Sequence, residues 1–95
     1  MSEAVPVFTR TVRIPNRRGL HARAAAKLVT LAEQFEAAVE VARDGQSVSA
    51  RSIMGLMMLG AGCGAEVALR AEGAGGKEAM DALAALIEAG FNERE

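Results

Sequence analysis

The chain has one histidine, His21, in Gly19-Leu20-His21-Ala22-Arg23-Ala24-Ala25-Ala26-Lys27, where turn residues give way to a helical period. A free imidazole, with a pKa of about 6.5, is largely unprotonated and nucleophilic near neutral pH. At a helix start the first amides have no internal partner, so Ala22, Arg23 and Ala24 can aim N–H groups at an anion. Arg23 adds a fixed positive charge, and Arg17 and Arg18 lie just upstream. This setting suits an imidazole that holds a phosphoryl group covalently, since such a group brings about −1.5 to −2 units of charge. A helix terminus stabilises an anion by only about 0.3–1 kcal/mol, which orients a transferable group without trapping it. The bland alternative is a histidine that caps a helix or fills an edge.

Other histidine chemistry has less support. There is no second histidine and Cys63 is the one cysteine, so no metal-ligand set is expected. The first carboxylate after His21 is Glu33, which leaves no local base–orienter pair for a self-sufficient hydrolase.

A second segment, Arg51-Ser52-Ile53-Met54-Gly55-Leu56-Met57-Met58-Leu59-Gly60, offers a serine ahead of an apolar run. On local sequence Ser52 reads as a helix N-cap. At 100° per residue the Ile, Met and Leu side chains surround the helix axis. A short outer helix cannot bury every face, so some of these flexible side chains are expected to form an exposed docking patch. Cys63 reads as a small packing residue.

The elements that must position these groups follow from hydrophobic periodicity. Phe8, Val12 and Ile14 alternate with polar residues in a strand interrupted at Arg10, and Pro15 to Gly19 form a turn. Ala24, Ala25, Leu28, Leu31, Ala32 and Phe35 predict an amphipathic helix from about residue 22. Val39 and Val41 predict a strand, Asp44-Gly45 a tight hairpin, and Gln46–Ala50 the returning strand. A short helix over Ile53–Leu59 ends at Gly60 and Gly62. Val67, Leu69 and Ala71 make a fourth strand. Met80, Leu83, Ala84 and Ile87 make a last helix closed by Gly90. The order is β-α-β-β-α-β-α, which fits two layers with helices over one face of the sheet.

Composition bounds the function. Ninety-five residues predict one domain over 1–95. Apolar residues are 51%, but 20 of them are alanine, leaving 27 Val, Ile, Leu, Met and Phe for one small core. A net charge of −1 argues against a general nucleic-acid binder, and the absence of Trp and Tyr removes most base-stacking platforms. Charge is unevenly placed: residues 1–27 hold six basic side chains against Glu3, while residues 28–95 hold five basic and eleven acidic. The basic part is expected to face an anionic ligand or an acidic protein surface. The longest uncharged stretch, residues 53–65, is too short to span a bilayer, and no secretory signal is visible. A cytoplasmic monomer without membrane insertion is the expectation.

Gly19–Lys27 resembles the phosphorylation-site segment of the HPr family, the histidine-containing phosphocarriers of the bacterial phosphoenolpyruvate-dependent phosphotransferase system. Ser52–Gly60 resembles that family's second signature, and Gly64–Gly73 its following strand. The resemblance implies an α+β open-faced β-sandwich, a four-stranded antiparallel sheet covered on one side by three helices. It implies that His21 takes phosphate on Nδ1 from phosphorylated Enzyme I and passes it to an Enzyme II A-type acceptor. Arg23 matches an arginine near the phosphoryl group. Ile53, Met54 and Met57 match partner-docking positions, and Ser52 matches the serine that HPr kinase/phosphorylase modifies where that kinase exists. No cofactor is implied. The family has proline where this chain has Ala24, which restores an N–H donor and loosens the helix start. The ending Gly90-Phe91-Asn92 with acidic residues is more similar to the nitrogen-related branch than to the sugar-transport branch.

Two other readings compete: an allosteric adaptor in which His21 is idle, and a small phosphatase-like enzyme on a similar fold.

Overall fold

A computed structural model describes residues 4–94 of the chain. Side chains that alternate in polarity extend the backbone as β1 (Val7–Arg13), β2 (Val39–Arg43), β3 (Gln46–Ser49) and β4 (Glu66–Glu72). Segments with a three-to-four spacing coil as α1 (Ala22–Ala32), α2 (Ile53–Met58) and α3 (Gly76–Glu88), and a short turn follows at Gly90–Asn92. The strands form one sheet in the order β1-β4-β2-β3, antiparallel throughout, with Thr11 opposite Ala68 and Val41 opposite Leu69.

Strand β4 shows why the layers form. Val67, Leu69 and Ala71 are buried while Glu66, Ala68, Arg70 and Glu72 are exposed, so one face must be covered and the other can stay in water. Helix α3 lies directly on β1, β4 and β2, α1 packs beside α3, and α2 is set against α1 and β3. Buried Ala24, Ala25, Ala79 and Ala84 let these helices lie close. This is the α+β open-faced β-sandwich that the sequence led us to expect.

The hairpin between β2 and β3 turns at Asp44 and Gly45, with φ of 51° and 81°. Both values are positive, as a two-residue turn matched to strand twist requires. The interruption at Arg10 has a physical explanation. Its side chain shares the inward side of β1 with Phe8 and Val12 and reaches α3. There it meets Asp81 at 3.3 Å and Glu88 at 3.0 Å. Asp81 also accepts from Lys77 at 2.6 Å, and these bonds hold its carboxyl below the usual range against the opposing effect of desolvation.

Some boundaries differ from the periodicity. Helix α1 stops at Ala32, because Gln34 and Phe35 turn back to donate to the carbonyls of Leu31 and Ala32. Phe35 still packs on the core from outside the helix. Strand β3 ends at Ser49 and α2 at Met58, each one residue short of expectation. Cys63 is a correction: it is exposed, its Sγ 3.7 Å from the carbonyl oxygen of Pro15, and it is not a packing residue.

Candidate functional site

The loop before α1 is held by tight backbone packing. Gly19 has φ of 67°, and a Cβ there would lie 2.7 Å from both the Ala61 carbonyl oxygen and Gly62 Cα. No side chain fits, so glycine is required on space as well as conformation. The next residue, Leu20, donates its N–H to Ala61 at 2.9 Å. These contacts lay the loop that follows α2 against the loop that presents His21.

His21 is the N-cap residue of α1, with extended backbone, and its side chain makes no capping hydrogen bond. The capping role is therefore excluded. The first helical bond runs from Ala25 N–H to the His21 carbonyl at 2.8 Å, so the amides of Ala22, Arg23 and Ala24 precede the hydrogen-bonded ladder. Ala22 and Arg23 are exposed. The methyl of Ala24 is wholly buried, so packing steadies this first turn.

The imidazole has a partner that the local sequence did not show. Its Nε2 edge meets the carboxylate of Glu93, and both side chains are 13% exposed. Asn16, itself buried, donates from Nδ2 to Glu93 at 2.8 Å and to the Gly19 carbonyl at 2.8 Å, while its Oδ1 is buried without a protein partner. The bond from Asn16, with that from His21, holds the Glu93 carboxyl below the usual carboxylate range although burial acts the other way.

Glu93 reaches this position because the chain reverses after α3. Gly90, Phe91 and Asn92 take φ of 64°, 57° and 58°, three successive left-handed residues. For a non-glycine residue that conformation costs about 1–2 kcal/mol. Burial of an aromatic side chain returns about 1.5–3 kcal/mol, and Phe91 is fully buried. Lys27 adds a hydrogen bond from Nζ to the Phe91 carbonyl at 2.7 Å. The signal for this turn was the Gly90-Phe91-Asn92-Glu93 ending, whose single aromatic follows a glycine.

Beside this pair lies a recess of about 430 Å³ lined by Arg17, Arg18, Arg23, Lys27, Asn92, Glu93 and Arg94. Glu93 borders the recess on one side and touches His21 on the other. The structure thus joins Arg23 and the upstream arginines of the sequence analysis into one cationic surface. Lys27, from the basic N-terminal part, belongs to it too, as does Arg94, which was not singled out there.

Ser52 accepts the Gly55 N–H at 2.9 Å and is the N-cap of α2. Only Leu56 of that helix is buried. Ile53, Met54, Met57 and Met58 are 40%, 75%, 45% and 72% exposed, so the apolar patch exists and includes Met58. Arg43 fastens the far end of α2 by donating to the Leu59 carbonyl at 2.9 Å. Among the described residues no group of three or more His, Cys, Asp or Glu is placed to hold a metal ion. None of the described helices is long and apolar enough to cross a membrane.

The fold is a small α+β open-faced sandwich with a histidine at the head of α1 and a cationic recess nearby. A family model described as "PTS HPr component phosphorylation site" matches residues 8–89. A phosphocarrier protein HPr of Cupriavidus necator is 52% identical over 89 residues, covering 94% of this chain and all of that protein. A phosphocarrier protein NPr of Shewanella violacea is 43% identical over 84 residues, covering 88% and 92% of the two chains. Among solved structures, HPr of Thermoanaerobacter tengcongensis superposes with a TM-score of 0.87 at 44% identity, covering 93% of this chain and 99% of that one. The chain belongs to the HPr family, the phosphocarrier proteins of the phosphotransferase system.

Proposed function

We propose that this protein carries a phosphoryl group covalently on Nδ1 of His21, taking it from phosphorylated Enzyme I and passing it to an Enzyme II A-type acceptor. The observation that carries the reading is an N-cap histidine that caps nothing, ahead of unpaired amides and beside a cationic recess. In the forward step the Nδ1 lone pair attacks phosphorus. The bond from phosphorus to the donor's histidine nitrogen breaks, and its electron pair returns to that nitrogen. Transfer to the acceptor repeats the exchange with His21 as leaving group. Arg23 and the amides of Ala22, Arg23 and Ala24 neutralise and orient the phosphoryl oxygens.

Ile53, Met54 and Met57 form the surface on which both partners dock. Phosphorylation of Ser52 by HPr kinase/phosphorylase would set negative charge beside that patch and repel an acidic partner without touching His21.

The test is phosphate transfer from phosphoenolpyruvate with purified Enzyme I, read by intact mass. Wild type should gain an acid-labile phosphate, and His21→Ala should gain none. Phosphate on neither, with Enzyme I shown active, would leave His21 idle and favour the adaptor reading centred on Ser52.

A further inference from the structure

We infer that Glu93 is a positioning residue for phosphoryl transfer at His21, an inference that rests on the carrier reading above. Its carboxylate meets the Nε2 edge of the ring. An ionised carboxylate can only accept a hydrogen bond, so this contact places the ring proton on Nε2. In the neutral imidazole the other nitrogen, Nδ1, then bears the lone pair. The ring is turned so that its basic nitrogen is the one proposed to attack phosphorus.

The arrangement is built rather than incidental. Asn16 fixes the second carboxylate oxygen of Glu93, and the same amide group ties that oxygen to the Gly19 carbonyl of the His21 loop. Phe91 anchors the reversed chain in the core, and Lys27 fastens its carbonyl to the body of α1. Among the described residues that line the recess, Glu93 is the one carboxylate. The charged groups around it are Arg17 and Arg18 from the loop, Arg23 and Lys27 from α1, and Arg94 beyond it. In that cationic setting one carboxylate oxygen of Glu93 faces the imidazole and the other takes the Asn16 amide.

The electron balance gives it a role in both directions. When Nδ1 bonds to phosphorus, the ring keeps its Nε2 proton and becomes cationic, and Glu93 supplies the facing negative charge. When the Nδ1–phosphorus bond breaks toward the acceptor, the electron pair returns to Nδ1 and the ring leaves neutral with the Nε2 proton in place. With both side chains 13% exposed, this pairing is less screened than on an open surface.

The experiment compares wild type, Glu93→Gln and Glu93→Ala in uptake from phosphorylated Enzyme I. Glu93→Ala should lose on the order of 10- to 100-fold in transfer rate at saturating donor, the scale of misplacing a reacting group. The half-saturating concentration of Enzyme I should stay the same. Glu93→Gln, which keeps an accepting oxygen but no charge, should fall between. Two readouts separate positioning from folding. In unphosphorylated protein the Nε2-bound proton should give a nuclear magnetic resonance signal that Glu93→Ala loses. In phosphorylated protein, the rate of phosphate loss should change in Glu93→Gln, because the ring proton no longer faces an opposite charge. Equal rates and an unchanged ring signal would overturn the inference, as would faster transfer in Glu93→Ala, which would make the side chain a cover. Wild type that takes no phosphate would instead defeat the carrier reading itself.

Discussion

Lys27 Nζ donates to the carbonyl oxygen of Phe91 at 2.7 Å, which ties the chain's final reversal to the helix that starts at His21. Residues 64 apart thereby share one rigid frame, and the fit of the site depends on core packing at its far side.

Replacing Phe91 tests that dependence. Phe91→Ala removes a fully buried ring and should cost about 3–5 kcal/mol of stability, read as a lower Tm. Amide exchange at residues 90–93 should quicken beyond what global unfolding explains. A Tm within a degree or so of wild type would show that the reversal is held by other contacts.

Lys27→Met keeps the apolar stem and deletes the hydrogen bond. A bond from a charged donor contributes about 1.5–3 kcal/mol when shielded, and partial exposure here should reduce that to about 1 kcal/mol. Denaturant titration checks the value, with the slope unchanged.

Arg23→Ala should separate chemistry from folding. The side chain is exposed at the head of α1, so stability should stay within about 0.5 kcal/mol, while phosphoryl transfer through His21 slows clearly. Parallel losses of Tm and rate would count against its role at the phosphoryl group.

Met54 is 75% exposed on α2, and Met54→Glu should weaken binding to Enzyme I without unfolding the protein. Met58→Glu, at a position 72% exposed, should act in the same direction. Calorimetric titration with Enzyme I measures both. Wild-type affinity in the two variants would remove the patch from the docking surface.

Acid should loosen the final turn. Hydrogen bonds from Asn16 and His21 depress the folded-state pKa of Glu93, so its stabilisation is complete above the unfolded carboxylate value of about 4.3. It is lost as pH falls through the lower folded value. Ring signals of Phe91 should therefore stay sharp down to about pH 4.3 and broaden as pH falls below it in wild type, while Glu93→Gln should show a flatter profile. Identical profiles would remove Glu93 from the cause.

What was legible in the sequence was whatever depends on neighbours. The β4 alternation, the Asp44-Gly45 turn and the Ser52 cap each rest on a few consecutive residues, and each stands in the structure as read. The His21 segment was legible for the same reason. The contact with Glu93 was not, because it spans 72 residues and depends on a left-handed reversal that periodicity does not encode. Arg10 was misread as a break because its pairing with Asp81 and Glu88 is likewise long-range. Burial misled at Cys63, where residue type suggested the interior and a glycine-rich loop put it outside.

That exposed sulfur has a practical consequence. The chain holds one thiol, beside Pro15 in the stretch leading to the histidine loop, and a dye or spin label attached there would occupy a single known place. Its signal would report on the surroundings of that stretch without engineering a second attachment point.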